Sequence, residues 1–405
     1  MPLDKPRLLF VDDERELLDG LRGALFRERK RWSMRFACGA QEGLAALEEG
    51  GADLVISDMR MPRMDGAEFL TIVRDKYPEA IRFVLTGQAD ESMTLRALPV
   101  AHHWLHKPCG RESLVAEIER GLSILESIED PAMRTLCARL DDLPMSSQGI
   151  QRLQVALGRP QTTTREISNL VSSEPGLAVR VLQFVNSAAF GVSNPVADLE
   201  TAVNFLGVEM LSRMAMAEAL FQVDQDLSPG ALALHASLTE RSQVSASVAG
   251  EVAGVFGADP SASLGALLAE VGRIAMIRDG EQHFLEKCER TTGDWAGLEA
   301  LENEEYGLKQ ESLGAAVLSR WGLPLKVTEP IRYQGRPQDA PEGSRTTASV
   351  IRFSSKVAFA VQTTDSGQDS LDGARFGIET ERLELFERLV QDRMDHPGEF
   401  TGEAA

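Results

Sequence analysis

Five residues carry the chemistry that the sequence offers first: Asp12 and Asp13 in "RLLFVDD", Asp58 in "ADLVISD", Thr86 in "IRFVLTG" and Lys107 in "HHWLHKP". Each closes a short apolar run of strand character. Carboxylates gathered in one place repel one another unless a cation joins them, and a hard divalent ion such as Mg²⁺ suits oxygen ligands of this kind. One carboxylate can then attack a phosphoryl group and become an aspartyl phosphate. A lysine and a hydroxyl beside it would meet the new phosphate oxygens. Any one of these acids alone reads as a solvated turn residue. Five at matching strand ends point to phosphoryl transfer.

What must position these groups is a parallel sheet. Amphipathic helical stretches separate the apolar strands, as in the run carrying Leu17, Leu18, Leu21 and Leu25. Such alternation implies a doubly wound α/β sheet covered on both faces. Functional groups in these sheets gather at the carboxyl ends of the strands, where all five sit.

With these motifs in place, residues 6–122 resemble the flavodoxin-like receiver domain of two-component response regulators. The resemblance implies Asp58, within "SDMRMPRMDG", as phosphoacceptor, Asp12 and Asp13 as the acidic pair, and Thr86 as the switch hydroxyl. It also implies a catalytic Lys107 followed by a cis bond to Pro108, and Mg²⁺ held by Asp12, Asp13, Asp58 and the backbone carbonyl of Arg60. The phosphodonor it implies is a histidine kinase. The family's aromatic switch falls on Trp104, where Tyr or Phe is more usual. A bulkier indole either swings on phosphorylation or stays fixed at the sheet edge.

After the sheet pattern, Leu114, Ile118, Leu122 and Leu125 recur at helical spacing until Pro131 interrupts them. The stripe either packs on the sheet or continues into a short dimer seam. Residues 123–142 read as a helical connector. Strand patterns then vanish, and runs such as "LETAVNFLGVEMLSRMAMAEALFQ" and "LGALLAEVGRIAMI" read as helices of an all-α bundle.

That bundle, residues 143–340, resembles the HDOD domain, an output module related to HD phosphohydrolases. The carriers are Leu143-Pro144, the signature at Glu174, Pro175, Leu177, Asn186, Ser187 and Phe190, then Ala202, Leu206 and Gly207, and the closing stretch Gly314 to Pro324. Residues 341–405 read as a helical extension and tail.

An HD phosphohydrolase needs imidazoles and carboxylates converging on a metal with an open position for water. By the same likeness the first histidine is kept as His235, but the central His-Asp pair is Ala269-Glu270. Gln310 and Tyr333-Gln334 stand where later histidines are often found, and His283 matches no motif. Alanine cannot ligate, so no metal is expected in this domain.

Composition limits the remaining choices. At 405 residues, two domains are expected. A net charge of −20, with no basic recognition helix, argues against nucleic acid as a partner. No apolar stretch approaches a bilayer span, and "MPLDKPRLLF" lacks the layout of a signal peptide. The cysteines at 38, 109, 137 and 288 form no CxxC pair and read as reduced thiols of a cytoplasmic protein. The function expected is a response regulator whose non-catalytic output domain acts through contacts with an unidentified output protein, with self-association through the receiver as one route. The alternative is a receiver-gated metal-dependent phosphohydrolase, for example a cyclic di-GMP phosphodiesterase.

Overall fold

The computed structural model describes residues 5–87, 91–128, 130–140, 143, 145, 147–159, 161–187, 195–216, 227–279, 300–302, 304 and 307–362. Pro144, Phe190, His283, Cys288 and the tail from 363 onward lie outside the described residues.

The apolar runs form five parallel strands: β1 (Arg7–Asp12), β2 (Ser33–Cys38), β3 (Leu54–Asp58), β4 (Ile81–Thr86) and β5 (His103–His106). Their order is β2-β1-β3-β4-β5, as expected for a flavodoxin-like sheet. Alternate side chains feed two core layers. Leu9, Val11, Val55 and Val84 point to the side of α2 (Ala40–Gly50) and α3 (Gly66–Lys76), and meet Leu47, Phe69, Leu70 and Val73 there. Leu8, Phe10, Ile56 and Phe83 point to the side of α1 (Arg15–Ala24) and α5 (Arg111–Ser127). Leu114, Ile118, Leu122 and Leu125 all enter this second layer, so the stripe on α5 packs on the sheet. A short α4 (Glu91–Ala97) precedes β5.

One turn places the phosphoacceptor strand. Asp65 caps α3 by accepting the N–H of Glu68, whose side chain answers in a capping box. A Cβ on Gly66 would lie 2.2 Å from the carbonyl oxygen of Asp58, so only glycine lets α3 start this close to the end of β3.

Beyond the sheet come α6 (Pro131–Arg139), α7 (Ser147–Leu157), α8 (Thr164–Ser172), α9 (Pro175–Val185), α10 (Leu199–Met216) and α11 (Pro229–Phe256). They are followed by α12 (Ala262–Leu267), α13 (Val271–Asp279), α14 (Gln310–Arg320), α15 (Leu325–Tyr333) and α16 (Glu342–Gln362). Thr163 and Ser228 cap α8 and α11 through their hydroxyls. Every residue of α9 is buried.

The stretch 266–276, expected as one helical run, is two helices joined by a turn at 268–270. The break lets α13 begin against the start of α14: a Cβ on Gly272 would lie 1.9 Å from the carbonyl oxygen of Gln310.

The chain folds into two compact units, Met1–Asp226 with Leu313–Thr328, and Leu227–Ser312 with Glu329–Ala405. The first unit holds the whole sheet together with α6–α10. Among the described residues, no helix is long and apolar enough to cross a membrane.

Candidate functional site

Asp12 and Asp58 end adjacent strands, and Lys107 follows β5 across the same edge of the sheet. The structure brings these three together. Lys107 Nζ lies 2.7 Å from Asp12 Oδ2 and 2.5 Å from Asp58 Oδ1. The remaining oxygens take backbone donors: the N–H of Glu14 donates to Asp12 Oδ1 at 2.9 Å, and that of Arg60 donates to Asp58 Oδ2 at 2.6 Å. Thr86 is buried at the end of β4, and its carbonyl accepts the N–H of Lys107 at 2.6 Å. The Lys107-Pro108 bond is cis.

Charge is unevenly matched here. Burial works against the Lys107 ammonium, but Asp12 and Asp58 outweigh it and raise its pKa, so the lysine stays charged. Asp58 also moves up: burial dominates, Asp12 adds to it, and Lys107 and the Arg60 N–H only partly offset both. Lys107 rises because two carboxylates serve it, and Asp58 rises because burial outweighs its share of one ammonium; the two carboxylates are 2% and 7% exposed.

Asp13 does not join this group. It is exposed, and among the described residues no three His, Cys, Asp or Glu side chains come together as a metal-holding set. Of the expected Mg²⁺ ligands, Asp12 and Asp58 are both held by Lys107. The donor chemistry still fits a hard cation, since these oxygens are short of positive charge and Asp13 adjoins Asp12. Trp104 on β5 is partly buried and packs against the core layer of α2 and α3.

In the second unit, Ala269 is buried and offers only its carbonyl, which accepts from Gln334 Nε2 at 3.0 Å. Glu270 is claimed by cations. Arg273 Nη1 donates to it at 2.7 Å, Arg241 Nε lies 3.6 Å away, and Arg273 Nε donates to Glu302 at 2.5 Å. All four side chains are 2–5% exposed. Burial alone would raise the Glu270 carboxyl, but Arg241 and Arg273 hold it below its usual range, so it stays ionised. His235 is buried on α11 with Thr239 Oγ1 3.5 Å from its Nε2, and Gln310 is buried with Oε1 unpartnered among the described residues.

Sequence reasoning missed two features. Arg273 lies three residues after Glu270, a visible helical spacing, but Arg241 and Glu302 are remote in the chain. Arg320, on α14 within the first unit, is buried and donates to the carbonyls of Pro78, Glu79 and Ala80 before β4. No local signal marks it.

The family models agree with this geometry. The response regulator receiver domain matches residues 8–119 and the HDOD domain matches residues 143–337. A DNA-binding transcriptional regulator, NtrC, of Proteus hauseri is 27% identical over 176 residues, covering 43% of this chain and 36% of that protein. The transcriptional regulatory protein TrcR of Mycobacterium tuberculosis is 31% identical over 140 residues, covering 34% and 53%. The chain thus spans a third to a half of the length of these curated relatives. Among solved structures, the MmoQ response regulator of Methylococcus capsulatus is similar at 22% identity and a TM-score of 0.49, covering 60% of this chain and 97% of that one. With its five-stranded sheet and its helical remainder, the chain joins a response regulator receiver domain at residues 8–119 to an HDOD domain at residues 143–337.

Proposed function

We propose that a histidine kinase phosphorylates Asp58 and that the HDOD domain passes the signal on through protein contacts, without catalysis of its own. The observation that carries this reading is the Asp12–Lys107–Asp58 cluster at the carboxyl edge of the sheet. An Asp58 oxygen attacks phosphorus, an O–P bond forms as the P–N bond of phosphohistidine breaks, and the leaving imidazole nitrogen keeps the electron pair. Lys107 Nζ meets a phosphoryl oxygen, and the Thr86 hydroxyl donates to another. Asp12, Asp13, Asp58 and the backbone carbonyl of Arg60 would hold Mg²⁺, which would supply charge neutralisation.

The output assignment draws support from Ala269, which has no ligating atom in its side chain, and from Glu270, whose carboxylate is already held by Arg273. A carboxylate bound by a guanidinium is poorly placed to orient a metal-bound water. The acidic chain, net −20, favours a protein partner over nucleic acid and suits a cytoplasmic location. A homodimer through the receiver is one form the output can take.

Acetyl phosphate with Mg²⁺ is expected to phosphorylate the wild-type chain and to leave Asp58→Asn unmodified, read by intact mass. Phosphate mapped elsewhere in the wild type would overturn the assignment. The full-length protein is expected to leave cyclic di-GMP intact with Mn²⁺, Fe²⁺ or Mg²⁺. Turnover that disappears in Glu270→Gln would establish the hydrolase reading instead.

A further inference from the structure

The sheet ends on one side at β2, which pairs with β1 alone. The N–H of Ser33 donates to the carbonyl of Pro6 at 2.8 Å and that of Gly39 to the carbonyl of Asp12 at 3.0 Å, so the odd residues of this strand turn their backbone groups toward β1. By the alternation of a parallel ladder, the N–H and C=O of Met34 and Phe36 turn outward. Cys38 fits the same pattern: its outward N–H donates to Glu42 Oε2 at 2.7 Å, which closes the strand at that end. Among the described residues no side chain bonds the outward groups of Met34 and Phe36, and both residues line an open groove of about 650 Å³. Edge groups of this kind are a template for another strand.

The groove is also a basic spot on an acidic chain. Residues 22–35 hold six Lys or Arg against one acid, Glu28, whereas the whole chain has 42 basic and 62 acidic residues. On the α1 side of the groove, the Arg22 guanidinium lies 4.9 Å from the centre of the Phe36 ring, and that of Arg29 lies 3.6 Å from the centre of Phe26, which is 58% exposed. Arg22 also meets Asp19, but both side chains are more than half exposed and such a pair is weak. Arg29 has no carboxylate partner among the described residues. On the α2 side, Arg35 donates to the carbonyls of Ala46 and Gly51, not to a carboxylate. Glu42 and Glu49 share that side with Ala45 and Ala46.

We infer that the β2 edge is a docking site for an extended acidic segment of a partner protein, which adds to the sheet as a further strand. Its backbone pairs with the outward groups of Met34 and Phe36. Alternate side chains of an added strand face opposite sides of the sheet. Carboxylates suit the side of Arg22 and Arg29. Small apolar residues suit the side of Ala45 and Ala46, where Glu42 and Glu49 would repel a second row of acids. A phosphate-bearing ligand could meet the same cations, but it has no peptide groups for Met34 and Phe36.

Fluorescence anisotropy of a labelled, alternating Glu-Val peptide with the full-length protein at low salt tests this. The peptide is expected to saturate at one per chain, and to bind at least about tenfold more weakly when its Glu residues are replaced by Lys. N-methylation along the peptide, which blocks strand pairing, is expected to weaken it at least about tenfold. Arg22→Ala combined with Arg29→Ala should weaken binding about tenfold. Met34→Pro should weaken it about fivefold by removing one outward N–H, a change that an edge strand tolerates. The N-methyl comparison uses the unaltered protein, so the test stands even where a variant melts without cooperativity. Asp58→Asn is expected to bind the peptide as wild type does, which separates this surface from the phosphorylation reading. No binding of the Glu-Val peptide, equal binding of its Lys counterpart, or an N-methylated peptide as tight as the parent overturns the proposal. So does single-stranded DNA, or a phosphatidylserine vesicle, that binds more tightly than the peptide and is released by the Arg22 and Arg29 substitutions.

Discussion

Two buried clusters of charge, one at the receiver's sheet edge and one in the helical unit, use the same residue types to opposite ends. Around Lys107, a single ammonium serves Asp12 and Asp58, with Lys107 itself 20% exposed and Asp13 waiting in solvent. Around Arg273, two guanidiniums face two carboxylates, all 2–5% exposed. The first cluster is short of positive charge and reachable, so an incoming cation improves it. The second is balanced and closed. An open site keeps an electrostatic deficit that a bound cation can fill; a structural network removes it.

Breaking the closed cluster is expected to have the largest effect. Arg273→Met leaves Glu270 and Glu302 buried without their shared donor, at a cost of ~3–5 kcal/mol in urea unfolding of the full-length chain. Adding Glu270→Gln and Glu302→Gln should recover much of that loss. If Arg273→Met alone is neutral, the network is not the closed unit described above.

Lys107→Met is the matching change in the open cluster and is expected to cost less, ~1–3 kcal/mol. Mg²⁺ should restore part of that stability, because the oxygens are accessible, while adding nothing to Arg273→Met. Equal Mg²⁺ responses in the two variants would erase the distinction.

A smaller effect is expected from Asp13→Ala. Since Asp13 is exposed, stability should stay within ~0.5 kcal/mol of wild type. Its Mg²⁺ affinity, followed by titration, should nonetheless fall ~10-fold. Unchanged affinity would remove Asp13 from the metal shell.

The smallest effect concerns pH. His103 is neutral when folded, its pKa lowered to about 3 by burial and by the nearby Arg120 and Arg320, against 6.5 ordinarily. As pH falls from 6.5 toward 3, the unfolded chain therefore binds a proton that the folded chain refuses, and stability declines; above pH 6.5 this contribution is flat. His103→Gln should make urea midpoints fall less steeply between pH 7 and 5. An identical slope in wild type and variant would show that His103 takes up its proton in the folded state.

Much of the receiver site was legible because a parallel strand announces itself locally. A continuous apolar run ends in a polar residue, and the carboxyl edge of the sheet collects those ends, so Asp12, Asp58, Thr86 and Lys107 could be placed before any coordinates. Leu114, Ile118, Leu122 and Leu125 were legible as a stripe by their spacing, but only the packed sheet decided that they face inward. The break at 268–270 was not legible, because its cause is the approach of Gly272 to Gln310, a residue distant in the chain.

By itself, the sequence determined the order of elements, the two domain families and the absence of a ligating side chain at 269. Those depend on residue type and local period, which folding does not alter. Tertiary structure decided that Lys107 holds Asp12 and Asp58 while Asp13 stays outside, that Arg273 reaches Glu302 across 29 residues, and that Arg320 lodges among the carbonyls before β4. A buried charge takes whatever partner the packing brings within reach, and chain separation carries no record of that choice.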